Sequence, residues 1–76
     1  MNELLTIFNK ILAAKKKKEL TELRPELHLR NDLGFTSFDL AELTVKIEIL
    51  YDTDIFEDGI VHTVGDVQRK LFKETV

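Results

Sequence analysis

Ser37 is the side chain in this sequence best placed for covalent chemistry. It follows Gly34-Phe35-Thr36 and precedes Phe38-Asp39-Leu40, so it stands where a glycine-containing loop gives way to a periodic apolar segment. A hydroxyl in the first turn of a helix lies beside backbone N–H groups that have no intrahelical acceptor, where a phosphate is electrostatically welcome. The helix dipole adds only about 0.3–1 kcal/mol to that preference. So small a contribution does not make an ordinary hydroxyl a strong nucleophile, and no histidine adjoins Ser37 in sequence to act as its base. The chemistry implied is modification by a separate enzyme. Serine and threonine are also favoured helix caps, so Thr36 or Ser37 can equally serve only to start the helix.

Other chemistries fit less well. A serine hydrolase needs a G-x-S-x-G turn on a parallel sheet, and Gly34-Phe35-Thr36-Ser37-Phe38 lacks that spacing. His28 and His62 are far apart and belong to no HExxH-type helix, so both read as ordinary surface or packing histidines. Asp52 and Asp54 begin like a calcium loop, but Phe56 takes the next ligand position and Glu57 stands where the turn needs glycine. With no cysteine there is neither a disulfide nor a thiolate metal centre. The chain reads as a non-enzyme without a specific metal site.

The elements that must position Ser37 follow from spacing. Leu4, Phe8, Ile11 and Leu12 predict a helix from residue 3 to about 14. Residues 19–36 contain Pro25 and Gly34 and read as a long loop, pinned to a core by Leu20, Leu23, Leu27, Leu29 and Leu33. Residues 37–51 predict the strongest helix, with Leu40, Leu43, Ile47, Leu50 and Tyr51 on its buried face and Thr36 with Asp39 as a capping-box-like start. An acidic segment from Asp52 through Asp58 predicts a short third helix, with Ile55, Phe56, Ile60 and Val61 to pack inward. Thr63 and Asp66 have cap spacing ahead of Val64, Val67, Leu71 and Phe72 in a final helix. No segment alternates with a period of two, so the expected fold is an all-α four-helix bundle.

The chain's 76 residues, 43% of them apolar, make one domain over residues 1–76. Its stability should be roughly 4–11 kcal/mol on the usual per-residue scale. No apolar run reaches the length of a membrane span and Met1-Asn2-Glu3 begins no signal-type segment, which predicts a cytoplasmic protein. The net charge of −3 hides an asymmetry: residues 1–30 carry seven basic and four acidic side chains, residues 31–58 one basic and eight acidic. An acidic middle repels nucleic acid and attracts basic protein surfaces, chiefly by steering encounter. Lys15 to Lys18 read as a solvated helix end; a nucleic-acid regulator using them is opposed by the acidic remainder.

The stretch Asp32-Leu33-Gly34-Phe35-Thr36-Ser37-Phe38-Asp39-Leu40-Ala41-Glu42-Leu43 resembles the acyl carrier protein family, in which an Asp-Leu-Gly loop leads to a modified serine, a bulky apolar residue and an acidic helix. The order of elements, closing with Thr63-Val64-Gly65-Asp66-Val67, extends the resemblance over practically the whole chain. It implies a discrete, monomeric carrier of acyl-carrier-protein fold, with a long first loop and a short third helix. Ser37 would take 4′-phosphopantetheine from coenzyme A through a phosphopantetheinyl transferase. The arm's thiol would then hold acyl, aminoacyl or polyketide intermediates as thioesters in fatty-acid or related biosynthesis. The resemblance also implies that basic-faced acyl-processing enzymes dock on the second helix, which offers Phe38, Ala41 and Val45 flanked by Asp39, Glu42 and Glu48. Periodicity leaves open whether Val45 faces a partner or the core. Thr36 stands where many fatty-acid carriers have aspartate, Lys46 interrupts the acidic helix, and the segment before Thr63 is short. An unmodified helical interaction module of the same fold is the alternative.

Overall fold

The first apolar series forms α1 (Glu3–Ala14) in the computed structural model, which describes residues 3–57 and 59–72. Leu4, Ile7, Phe8, Ile11 and Leu12 are buried, the stripe expected of a helix with one face on a core. The helix ends without a glycine. Lys16 takes the left-handed conformation at φ 61°, its N–H donates to the Ala13 carbonyl at 2.9 Å, and the Lys17 N–H donates to the Leu12 carbonyl at 2.9 Å. This is the two-bond Schellman closure, with lysine in the usual glycine position.

Helix α2 (Ser37–Tyr51) packs against α1 through Leu40, Leu43 and Ile47, and ends at Asp52, again in the left-handed region at φ 55°. Leu50, expected on the buried face, is 46% exposed and lines an open cleft between α1 and the far end of α2. The hydroxyl of Thr44 is buried without a hydrogen-bond partner among the described residues. Thr44→Val keeps the shape and removes the unsatisfied group, so it is expected to raise stability by about 1 kcal/mol, read from the urea midpoint.

The segment 15–36 has no regular element of its own, yet it is tied down along its length. The Asn9 side-chain amide clasps Leu20 from both sides, donating to its carbonyl at 2.9 Å and accepting its N–H at 2.7 Å. Further on, the loop runs antiparallel to residues 62–65. The Leu29 N–H donates to the His62 carbonyl at 2.8 Å, the Val64 N–H to Leu27 at 2.9 Å and the Gly65 N–H to Pro25 at 2.9 Å. A Cβ on Gly65 would stand 3.1 Å from the Pro25 oxygen, so glycine permits this close approach. Leu29 and Leu33 are buried and Leu20, Leu23 and Leu27 partly so, as their recurrence predicts.

The expected short third helix is instead a turn, and the described residues form three helices rather than four. Asp54 captures the following backbone locally: its carboxylate accepts the Phe56 N–H at 2.9 Å and its carbonyl the Glu57 N–H at 3.2 Å. The Gly59 N–H then closes on the Phe56 carbonyl at 3.2 Å, giving i→i+3 turns that do not propagate. Ile55 and Val61 are buried and anchor the segment, whereas Ile60 is exposed. Asp58, the end of the acidic segment, lies outside the described residues.

Helix α3 (Val64–Leu71) starts at the expected capping box: Thr63 accepts the Asp66 N–H at 3.1 Å, and Asp66 accepts the Thr63 N–H at 3.2 Å. Val64 and Val67 are buried. Phe72, expected inward, is half exposed and meets Tyr51 edge-on with ring centroids 5.8 Å apart. No helix among the described residues is long and apolar enough to cross a membrane.

Candidate functional site

The loop before Ser37 is built as a closed turn. The His28 carbonyl accepts the N–H groups of Asp32 at 2.9 Å and Leu33 at 3.1 Å, while the Asp32 carboxylate reaches back to the His28 N–H at 2.7 Å. Gly34 reverses the chain at φ 71°, a conformation that costs an L side chain energy and glycine none. A Cβ there would also meet the Lys17 ammonium at 2.8 Å. Phe35 is then buried and stacks on Phe8, ring centroids 5.9 Å apart. The motif is therefore seated on α1 immediately before the helix that carries Ser37.

Thr36, not Ser37, caps α2. Its hydroxyl accepts the Asp39 N–H at 3.2 Å, and the Asp39 carboxylate accepts the Thr36 N–H at 2.8 Å and the Thr36 hydroxyl at 3.1 Å. Ser37 is left exposed as the first helical residue. Among the described residues, the N–H groups of Ser37 and Phe38 have no acceptor, because the cap takes up Asp39 and the Thr36 carbonyl takes up Leu40. An exposed hydroxyl flanked by two open N–H donors suits a phosphate ester.

Asp39 does not belong with the outward-facing acidic residues. Its side chain is 8% exposed and pairs with the Lys15 ammonium at 2.8 Å. Burial raises its pKa, but Lys15 and the Thr36 donors outweigh burial and hold the carboxyl below its ordinary value. Lys15 is accordingly an ion-pair partner of the cap rather than one more solvated lysine. Asp66 shows the same design in α3. The His62 N–H foremost, against the cost of burial and with help from Thr63 and Arg69, holds its carboxyl low.

The other named residues of α2 face outward. Phe38 is 77% exposed, Val45 is 54% exposed and Ala41 is exposed, so Val45 is a surface residue and not part of the core. Ile49, 80% exposed, continues this row one turn beyond Val45; its i+4 spacing was a legible signal that attention to the buried face obscures. Glu48 is exposed, and Glu42 is half-buried with its carboxylate 3.8 Å from the Lys46 ammonium. Arg30, which no periodicity links to the motif, places Nη1 3.5 Å from the Ser37 Oγ, at the edge of hydrogen-bonding distance.

His28 and His62, separated in sequence, are brought to a ring-centroid distance of 6.1 Å by the loop's antiparallel pairing. The His28 Nδ1 accepts the Asn31 N–H at 3.2 Å. Among the described residues, no three His, Asp or Glu side chains gather as a metal site. An apolar cleft of about 590 Å³ between α1 and the far end of α2 is lined by Ile7, Ile49 and Leu50 with Lys10 and Lys46 beside them, and includes no residue of the Ser37 motif.

No protein-family model matches the chain, and no solved structure matches it. An acyl carrier protein of Amoebophilus asiaticus (strain 5a2) is 43% identical to it over 54 residues, which cover 68% of this chain and 68% of that protein. At that identity and over that share of both sequences, the chain, whose second described helix begins at an exposed serine, belongs to the acyl carrier protein family.

Proposed function

We propose that Ser37 is the attachment point of 4′-phosphopantetheine, transferred from coenzyme A by a phosphopantetheinyl transferase. Once attached, the arm supplies a terminal thiol that carries acyl, aminoacyl or polyketide groups as thioesters between separate enzymes of fatty-acid or related biosynthesis. The chain's own residues hold and present this arm rather than catalyse a reaction. Thr36, Asp39 and Lys15 fix the start of α2, and the N–H groups of Ser37 and Phe38, without acceptors among the described residues, would be available to the ester. The observation that carries this reading is the division of labour between Thr36 and Ser37. A cap already supplied by threonine leaves the serine hydroxyl without a structural task at an exposed helix start. The test is incubation with coenzyme A, magnesium and a promiscuous transferase, followed by intact mass measurement. A gain of one phosphopantetheinyl group, mapped to the Ser37 peptide, supports the reading, and no gain sinks it.

Partner enzymes with basic faces are proposed to dock on α2 through Phe38, Ala41 and Val45, with Glu42 and Glu48 steering the encounter. Asp39 is left out because its charge is used internally. Val45→Asp is expected to slow loading or acylation by roughly 5- to 10-fold, the size of one interface anchor, with helicity by circular dichroism unchanged. Glu42→Lys should slow the encounter further in low salt and less in high salt. Unchanged rates in both variants remove this surface. The exposed row of Phe38, Val45 and Ile49 also suits an unmodified interaction module, the reading that a failed mass gain would favour.

A further inference from the structure

We infer that Arg30 is a positioning residue for the phosphate on Ser37. The inference rests on Ser37 being the attachment point, and deepens that reading by assigning a group that holds the phosphodiester. Arg30 sits in the closed turn between His28 and Gly34, its carbonyl accepting the Gly34 N–H at 3.1 Å, so its backbone is fixed relative to the start of α2. Its guanidinium Nη1 lies 3.5 Å from the Ser37 Oγ, and among the described residues it forms no ion pair with a carboxylate. It is a cation directed at a neutral hydroxyl, an arrangement that gains little until that oxygen carries a negative group. A planar guanidinium offers paired donors that match two oxygens of a phosphate. The open N–H groups of Ser37 and Phe38 approach the same ester from the helix side, so the phosphate would be held between helix and loop.

In the transfer, the Ser37 oxygen attacks the phosphorus of coenzyme A that bears the pantetheine. The new O–P bond forms as the O–P bond to adenosine 3′,5′-bisphosphate breaks, and the serine proton passes to a base on the transferase. Nothing is oxidised or reduced, and the product is a phosphodiester with one negative charge. Arg30 donates to the non-bridging oxygens of the transferred group as that bond forms, and keeps the same partners in the product, setting the direction in which the arm leaves the surface.

The local charge makes the effect separable from docking. A cation next to Ser37 repels a basic-faced transferase, so on encounter alone its removal lowers KM for the carrier. Loss of a phosphate-positioning donor instead lowers kcat. Loading by a purified transferase with coenzyme A and magnesium is therefore compared for the full chain, Arg30→Ala and Arg30→Lys. The 31P spectrum of each loaded product and its thermal midpoint are recorded alongside. For Arg30→Ala, kcat is expected to fall about 3- to 10-fold, the range for one partly solvated charge-assisted contact, with KM unchanged or lower. The 31P resonance should move toward that of the free phosphopantetheine diester, with the thermal midpoint unchanged. Arg30→Lys should recover part of kcat but not the resonance position, because a single ammonium does not reproduce the paired contact. If the wild-type chain loads but Arg30→Ala matches it in kcat and in 31P shift, Arg30 has no such role while Ser37 keeps its own. If the wild-type chain takes up no arm, both readings fall together.

Discussion

Ser37→Ala is expected to abolish uptake of the phosphopantetheinyl group while leaving the fold's stability within about 0.5 kcal/mol of wild type. The first half follows from chemistry, since alanine has no oxygen to form the ester. The second half follows from the cap. Ser37 is exposed and contributes no capping bond, and alanine is at least as good a helix former at that position. Thr36→Ala has the opposite signature. It removes the acceptor of the Asp39 N–H and one donor to the Asp39 carboxylate, so stability is expected to drop by about 1–2 kcal/mol while Ser37 still accepts the arm. Intact mass and urea unfolding of the two variants thus separate attachment from capping. Mass gain in Ser37→Ala, or a large stability loss in it, contradicts the assignment.

Asp39→Ala is expected to destabilise the chain by about 2–4 kcal/mol, a large share of what a domain of this size holds in reserve. The variant loses half of the capping box, leaves the Thr36 N–H without its acceptor and strips Lys15 of its partner. The loss stays below that of a fully buried pair because the Lys15 side chain is 23% exposed and can return to water. The pH dependence has a definite sign. Asp39's carboxyl is held below its ordinary value, chiefly by Lys15 and the Thr36 donors acting against burial. Its contribution is therefore complete above the unfolded-state pKa of about 4 and disappears as pH falls through the lower folded value. The gap in unfolding free energy between wild type and Asp39→Ala should be full at pH 7 and narrow toward pH 3. A gap that is small at pH 7, or constant down to pH 3, would show that the carboxylate does not hold the start of α2. Asp66 is lowered in the same direction in α3, so wild type should retain some acid sensitivity that Asp39→Ala shares.

Helices and caps were legible in the sequence because their determinants are local. The α1 stripe recurs every three or four residues, and the Thr36–Asp39 and Thr63–Asp66 boxes each lie within one turn. Leucines recurring through a segment broken by Pro25 and Gly34 announced a loop held to a core, and Leu29 and Leu33 are buried there. The segment after Asp52 misled for an equally local reason. Apolar residues near a turn have the same composition whether a short helix propagates or stops, and Asp54 stops it by capturing its own following backbone. Phe72 and Leu50 followed the apolar rhythm of their helices yet stay about half exposed, Phe72 edge-on to Tyr51 and Leu50 in the open cleft beside α1.

By itself, then, the sequence determined that a serine would stand at the start of the strongest helix, since a glycine turn, a cap and a periodic apolar run are all encoded within a few residues of one another. Only the tertiary structure decided what surrounds it. Thr36 became the cap and Asp39 turned inward because Lys15 arrives from the end of α1. Val45 faced solvent because α1 covers the opposite side of α2, a choice that periodicity cannot make between two apolar faces. Arg30 came within reach of the Ser37 oxygen because the turn before Gly34 folds back on itself. Contacts between elements depend on how the chain packs, and spacing along it carries no record of them.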